Sequence, residues 1–244
     1  YTTSGGLGGG LPAVRRFSDR FEILNPGPGG THLRAVKHIR KRPDPEYGWS
    51  FTLLTRPRPG ESVCGDKGAI IHDADRLTVI LADGLGHGPL AAEAAERAVH
   101  HVKTNARVPL EELVPMLDDE LRDTRGAAVS IARILPSQHA IHWLGIGNVR
   151  GCLLPPAQSH ERQTITFTNF NGTVGASPDR YKVLTYSYRA GDWMVLTSDG
   201  IKSRWPEGAT RLEKHDIFSL GKLLLDEAAQ PRDDASVLVG RAVR

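Results

Sequence analysis

Aspartates stand at the edges of four apolar runs in this chain. They are Asp66 in Val63-Cys64-Gly65-Asp66, Asp83 in Ala82-Asp83-Gly84-Leu85-Gly86-His87-Gly88, and Asp199 in Thr197-Ser198-Asp199-Gly200. The fourth motif is the pair Asp233-Asp234 ahead of Ala235-Ser236-Val237-Leu238-Val239. A strand that ends in a carboxylate next to glycine aims an oxygen ligand into a cleft. Several such carboxylates together suit a hard divalent cation, Mn²⁺ or Mg²⁺. Two such ions roughly 3.5–4 Å apart acidify a water and clamp the oxygens of an anionic substrate, the chemistry of metal-assisted hydrolysis. Without a cation the carboxylates repel one another and some hold protons. Taken singly, Asp83-Gly84 and Asp199-Gly200 read more readily as strand-ending turns, Asp233-Asp234 as the cap of a strand entry and Asp66-Lys67 as a surface ion pair; their succession is what points to a site.

Taken in order, Gly-Asp, Asp-Gly-Leu-Gly-His-Gly, Ser-Asp-Gly and Asp-Asp-Ala-Ser resemble the metal-dependent protein phosphatases of type 2C. The resemblance is greatest to the small bacterial SpoIIE/RsbX-like branch and runs from about Trp49 to the C-terminus. It implies that Asp83 bridges two ions, that Asp66 and the Gly84 carbonyl serve one, and that Asp199 and Asp233 serve the other. Asp234 is the neighbour of that last ligand, and the choice between the two stays open. Water attacks in this chemistry, which agrees with the lack of a Cys-x5-Arg loop, a Ser-His-Asp set or a nucleophile elbow. The resemblance further implies a cytoplasmic serine/threonine phosphatase acting on a phosphorylated STAS-type antagonist or scaffold of a stress or sporulation-like switch. Two other readings stand beside it: a pseudophosphatase that only docks such a partner, and a nucleotide-binding kinase regulator.

Other residues near the motifs have two readings each. His87 positions phosphate, or it simply lies in the tight turn leading to a helix at Pro89, with Gly86 and Gly88 supplying the freedom. Arg122 and Arg125 contact substrate phosphate, or they are solvated surface charge. Gly145 to Asn148 reads as a turn between strands.

The elements that must position these residues are of mixed type. Trp49–Thr55, Ala69–His72, Leu77–Ala82, Ala127–Leu135, Ala140–Gly147, Arg150–Leu154, Thr164–Thr168, Val183–Tyr188, Trp193–Thr197 and Ser236–Val243 read as strands, and Asp73 to Arg76 as a hairpin turn. Helices are expected over Pro89–Asn105, with Pro89 at its first position, over Leu110–Leu121 and over Ile217–Ala229. Periodicity alone gives a mostly antiparallel α+β fold. The resemblance sharpens this to a four-layer α-β-β-α sandwich over residues 48–244.

Composition narrows the function classes. A hydrophobic content of 39% with 24% charged residues describes a globular chain, and no apolar run approaches the ~20 residues of a membrane span. The net charge of +3 is scattered. No basic stripe with interleaved aromatics marks a nucleic-acid surface, and a modest positive field favours an anionic phosphoprotein. Cys64 and Cys152 are too few and too far apart for a disulfide framework or a zinc site.

Residues 1–39 differ in texture. Thr3 to Phe17 form a glycine-rich run leading toward a short helix with Pro12 in its first turn. Phe21–Leu24 and Thr31–Ile39 read as a hairpin about a turn at Asn25–Gly30. A glycine loop feeding a helix N-terminus can cradle phosphate. The segment resembles the C-terminal end of a GHKL-type, RsbT-like ATPase. Its Mg²⁺-binding Asn and its Asp-x-Gly adenine motif would lie upstream of Tyr1, so the segment reads as a fragment that does not bind ATP alone. Residues 40–47, polar and proline-bearing, form a connector.

Overall fold

The computed structural model describes Val14, residues 20–27 and 30–36, and residues 48–243 apart from 157, 158, 160, 161, 207, 208 and 210. The chain divides into two compact units, Tyr1–Asp44 and Pro45–Arg244. In the first, β1 (Arg20–Gly27) pairs antiparallel with β2 (Gly30–Val36), with a register shift between Ile23 and Asn25. The hairpin expected from the sequence is therefore present. The glycine-rich run and the connector at 40–47 lie outside the described residues.

The second unit is built on two five-stranded antiparallel sheets. Its strands are β3 (Trp49–Arg56), β4 (Asp66–His72), β5 (Leu77–Gly84), β6 (Ala127–Leu135), β7 (Ala140–Ile146), β8 (Arg150–Leu154), β9 (Ile165–Thr166), β10 (Leu184–Ser187), β11 (Trp193–Thr197) and β12 (Ala235–Ala242). One sheet has the order β10-β7-β6-β5-β4 and the other β3-β12-β11-β8-β9. The helices are α1 (Pro89–Thr104), α2 (Leu110–Leu121) and α3 (Ile217–Glu227).

Three apolar layers explain the stacking. Leu77, Val79 and Leu81 of β5, Trp143 of β7, and Met194, Leu196 and Leu238 of the other sheet fill the space between the sheets. Ile80 and Ala82 point the other way, toward Ala95, Ala98 and Val102 of α1 and Leu113, Leu117 and Leu121 of α2. Leu220 and Leu224 of α3 cover Val195, Val237 and Val239 on the second sheet. The order is thus α-β-β-α. A sheet covered on both faces needs apolar residues on both, which is why β5 and β6 read as continuous apolar runs. Burying each such Leu or Ile contributes about 1.5–3 kcal/mol.

Local signals set the helix ends. Pro89 occupies the first turn of α1, where its missing N–H is harmless. Its buried face is mostly alanine (Ala91, Ala92, Ala94, Ala95, Ala98), so its backbone approaches the sheet closely. Glu111 and Glu112 stand in the first turn of α2, where acids favour the helix dipole. Asp216 and Ser219 form a reciprocal capping box on α3. No helix among the described residues is long and apolar enough to cross a membrane.

Candidate functional site

The site is where the apolar rows between the sheets end. Side chains of a strand alternate faces, so Leu77, Val79, Leu81 and Asp83 form one row on β5. Three of them pack between the sheets, and Asp83 is the next in line. On β4 the residue directly opposite Asp83 is Asp66, and opposed side chains of an antiparallel pair share a face. The other sheet does the same: the row of Leu196 continues to Ser198, and that of Leu238 continues through Ser236 to Asp234. Asp199 and Asp233 follow in the flanking loops. The same end of the sandwich thus receives five carboxylates from strands distant in sequence.

Contacts between the loops fix this end. Ser198 Oγ accepts the Ser236 N–H at 2.9 Å, and Ser236 O accepts the Ser198 N–H at 3.1 Å. Asp234 Oδ1 accepts the Arg58 N–H at 2.8 Å, which ties the β3–β4 loop to the start of β12. Asp234 N–H in turn donates to Asp233 Oδ1 at 3.0 Å. Gly84 leaves no space for a side chain, since an added Cβ would stand 1.9 Å from the Ala91 carbonyl oxygen. The first turn of α1 therefore presses directly on the backbone beside Asp83.

Two of the five carboxylates are buried, three are half-buried, and they repel one another. Asp66 is 1% exposed and Asp234 is 3% exposed. Neither oxygen of Asp66 and not the Oδ2 of Asp234 has a hydrogen-bond partner. Burial pushes Asp66 up to about 6; the Ser198 and Ser236 hydroxyls temper the rise without closing a hydrogen bond of normal geometry, and Asp234 and Asp199 add to it. Burial pushes Asp83 further, to about 9, reinforced by the nearby carboxylates of Asp66, Asp199 and Asp233. Asp233 is raised as well, first by burial and then by Asp199.

Unpartnered buried carboxylate oxygens carry a large desolvation penalty unless a proton or a cation meets them. This donor set, all oxygen and multiply anionic, fits a hard divalent ion. Among the described residues no group of three such side chains is already closed around one point, so binding would draw the carboxylates together.

The structure brings Asp66, Asp83, Asp199, Asp233 and Asp234 to one end of the sandwich, with Gly84 beside Asp83. His87 turns elsewhere: its Nδ1 lies 2.6 Å from Glu61 Oε1 at an exposed position. The expected turn at Gly145–Asn148 is only half a turn, because Gly145 and Ile146 belong to β7. Its last residue has a role the sequence did not reveal. Asn148 Nδ2 donates to Asp199 Oδ2 at 2.7 Å. Gln230 Nε2 donates to the Asp199 carbonyl at the same distance. No local signal ties either residue to an aspartate so far along the chain.

The chain is similar to known proteins in sequence and in fold. The family described as Stage II sporulation protein E (SpoIIE) matches residues 73–242. The phosphoserine phosphatase RsbX of Bacillus subtilis (strain 168) is 26% identical over 185 residues, covering 75% of this chain and 90% of that protein. A crystal structure of RsbX in complex with magnesium superposes with a TM-score of 0.70 at 23% identity, over 79% of this chain and 94% of that one. The serine/threonine-protein kinase RsbT of the same Bacillus strain is 45% identical over 40 residues, 16% of this chain and 30% of that protein.

Proposed function

The chain belongs to the SpoIIE family, and from that premise we propose that its five aspartates form the divalent-metal centre of a protein serine/threonine phosphatase in a partner-switching pathway. The observation that carries the site is the cross-strand pair Asp66–Asp83, in which Asp66 is buried with both oxygens unsatisfied and Asp83 is half-buried, with Asp199 and Asp233 close enough to act on it from the other sheet. Asp83 would bridge two ions, Asp66 and the Gly84 carbonyl would hold one, and Asp199 and Asp233 the other. Asp234, pinned by the Arg58 N–H, keeps its Oδ2 toward the site as a further donor. Such ions, Mg²⁺ or Mn²⁺, supply an acidified water for attack on phosphorus and positive charge for the phosphoryl oxygens.

The chain's own residues prepare that chemistry. Asn148 fixes the rotamer of Asp199 through Oδ2, and Gln230 anchors its backbone. The Ser198–Ser236 exchange locks the ends of β11 and β12 together, so the acids of one sheet are held in register against those of the other. The apolar row Leu77, Val79 and Leu81 beneath Asp83 keeps water from below.

On this reading the substrate is a phosphoserine or phosphothreonine of a regulatory protein, expected to be of the STAS type, and the expected compartment is the cytoplasm; the likeness to a phosphoserine phosphatase supports the phosphoserine. The likeness to RsbT supports residues 1–39 as the end of an ATPase domain, although the chain spans under a third of that kinase. The full set of acids speaks against a pseudophosphatase. The deciding experiment follows p-nitrophenyl phosphate and a phosphorylated STAS protein with Mn²⁺, with Mg²⁺ and with EDTA. Turnover abolished by EDTA and restored by either ion is expected; turnover indifferent to EDTA would overturn the metal site.

A further inference from the structure

We propose that Arg125 is the residue that grips the phosphoryl group of the substrate, an inference resting on the phosphatase reading above. Arg125 stands two residues before Ala127, which pairs with Gly84 across β5 and β6. It therefore lies at the same end of the sheet as Asp83. The Gly126 carbonyl accepts the Leu85 N–H at 3.0 Å, stitching the Arg125 turn to the loop that follows Asp83.

The side chain lies against that loop. A Cβ on Gly86 would stand 2.7 Å from Arg125 Nη1, and Gly86 has a φ of +91°. Glycine at this position thus serves the backbone and also leaves space for the guanidinium.

Its neighbours are already engaged, and it is not. Arg122 pairs with Asp119 at 3.0 Å, with both side chains largely in solvent. Asp123, the nearest acid in sequence, is held by Arg97 at 2.9 Å. Among the described residues no carboxylate pairs with Arg125. An uncommitted guanidinium beside an acidic cluster is ready for a ligand that brings negative charge of its own. Its planar fork of donors matches two oxygens of a phosphate bidentately, which an ammonium cannot do.

The test uses the whole chain loaded with Mg²⁺ and measures inorganic phosphate binding by calorimetry for wild type, Arg125→Ala and Arg125→Lys. Arg125→Ala is expected to weaken phosphate binding at least about tenfold, and Arg125→Lys to recover part of it. The KM for p-nitrophenyl phosphate should rise by a similar factor, with kcat changing less. The rise in melting temperature with Mn²⁺ should be the same in all three, because Arg125 holds no ion. Phosphate affinity in Arg125→Ala within twofold of wild type overturns the proposal, as does a wild-type chain that binds no phosphate. Arg125-dependent phosphate binding in a wild-type chain without turnover supports the anion site and counts against the phosphatase reading instead.

Discussion

Asn148 and Asp199 are joined by a 2.7 Å hydrogen bond from Nδ2 to Oδ2 across 51 residues of sequence. The bond links the turn after β7, in the sheet that carries Asp66 and Asp83, to the loop after β11 in the other sheet. It is a bond between the layers at the open end of the sandwich, and it orients a carboxylate that repels its neighbours.

Asn148→Ala is therefore expected to loosen Asp199 without removing a ligand. Groups that orient metal ligands typically contribute 10–100-fold in metal affinity or activity. The Mn²⁺ concentration for half-maximal turnover should rise by about that factor, while the fold persists. An unchanged metal dependence would show that Asp199 is held well enough by its backbone bond to Gln230.

Asp83→Asn should have two opposite effects. Turnover should fall at least ~10³-fold, because the charge proposed to bridge the ions is gone. The chelated protein should become more stable, because Asp83 stands against Asp66 and Asp199 in a buried setting. A melting curve in EDTA beside a kinetic assay separates the two. Wild-type-like turnover would sink the assignment of Asp83.

Stability should depend on pH in opposite ways with and without metal. In the chelated protein Asp66 and Asp83 keep their protons to about 6 and about 9, against 3.8 for an ordinary carboxyl. The folded state thus binds protons that the unfolded state releases. The stability that these two groups contribute is fullest below about pH 4 and is lost as pH rises through 6 and 9. Saturating Mg²⁺ binds the ionised forms and should flatten or reverse that slope. At about 100 times the dissociation constant the ion adds ~2.7 kcal/mol. Melting temperatures from pH 5 to 9, in EDTA and in Mg²⁺, measure both; parallel curves would count against an acidic cluster in the native state.

How much of this was legible in the sequence follows from what each residue depends on. Asp83 was readable because the apolar run Leu77–Ala82 ends in it and the alternation assigns its face. Asp66 was found only through its motif: Asp66-Lys67-Gly68 has no apolar alternation, so the strand was expected from Ala69. Pairing with β5 extends it to Asp66, a tertiary effect that local pattern does not contain. The ends of β9 were likewise overestimated, since Thr164–Thr168 contributes only Ile165–Thr166 to the sheet. Asn148 and Gln230 depend on a partner far along the chain, and nothing in their own neighbourhoods points to it. Arg122 pairs locally with Asp119, whereas the place of Arg125 against Gly86 follows from the pairing of β5 with β6.

A stability prediction tests the packing away from the site. Asp192 is wholly buried in the turn before β11, and Arg162 grips it with both guanidinium nitrogens at 2.5 and 2.7 Å. Arg162→Ala would leave a buried charge without its cation. Losing one partner of a buried pair costs about 3–5 kcal/mol, and the lower end is expected because Arg189 N–H still donates to Asp192 Oδ2 at 2.8 Å. Denaturant titration should show that loss, with activity per folded molecule unchanged.

The last prediction concerns Tyr1–Asp44, one of the two compact units of the chain. The likeness to RsbT extends over 40 residues and 30% of that kinase, and residues 1–39, proposed above as the end of an ATPase domain, contain neither that family's Mg²⁺-binding Asn motif nor its adenine motif. A glycine loop supplies backbone donors for phosphates, whereas affinity for a nucleotide also needs an apolar pocket for the base. This 244-residue chain should therefore show no specific ATP binding below roughly millimolar concentration, an affinity of about −4 kcal/mol. Removing residues 1–44 should leave turnover of a small aryl phosphate largely intact, because every proposed ligand lies beyond Pro45. Calorimetry that found micromolar, Mg²⁺-dependent ATP binding would overturn the reading of a fragment and favour a nucleotide-sensing role for the N-terminal unit.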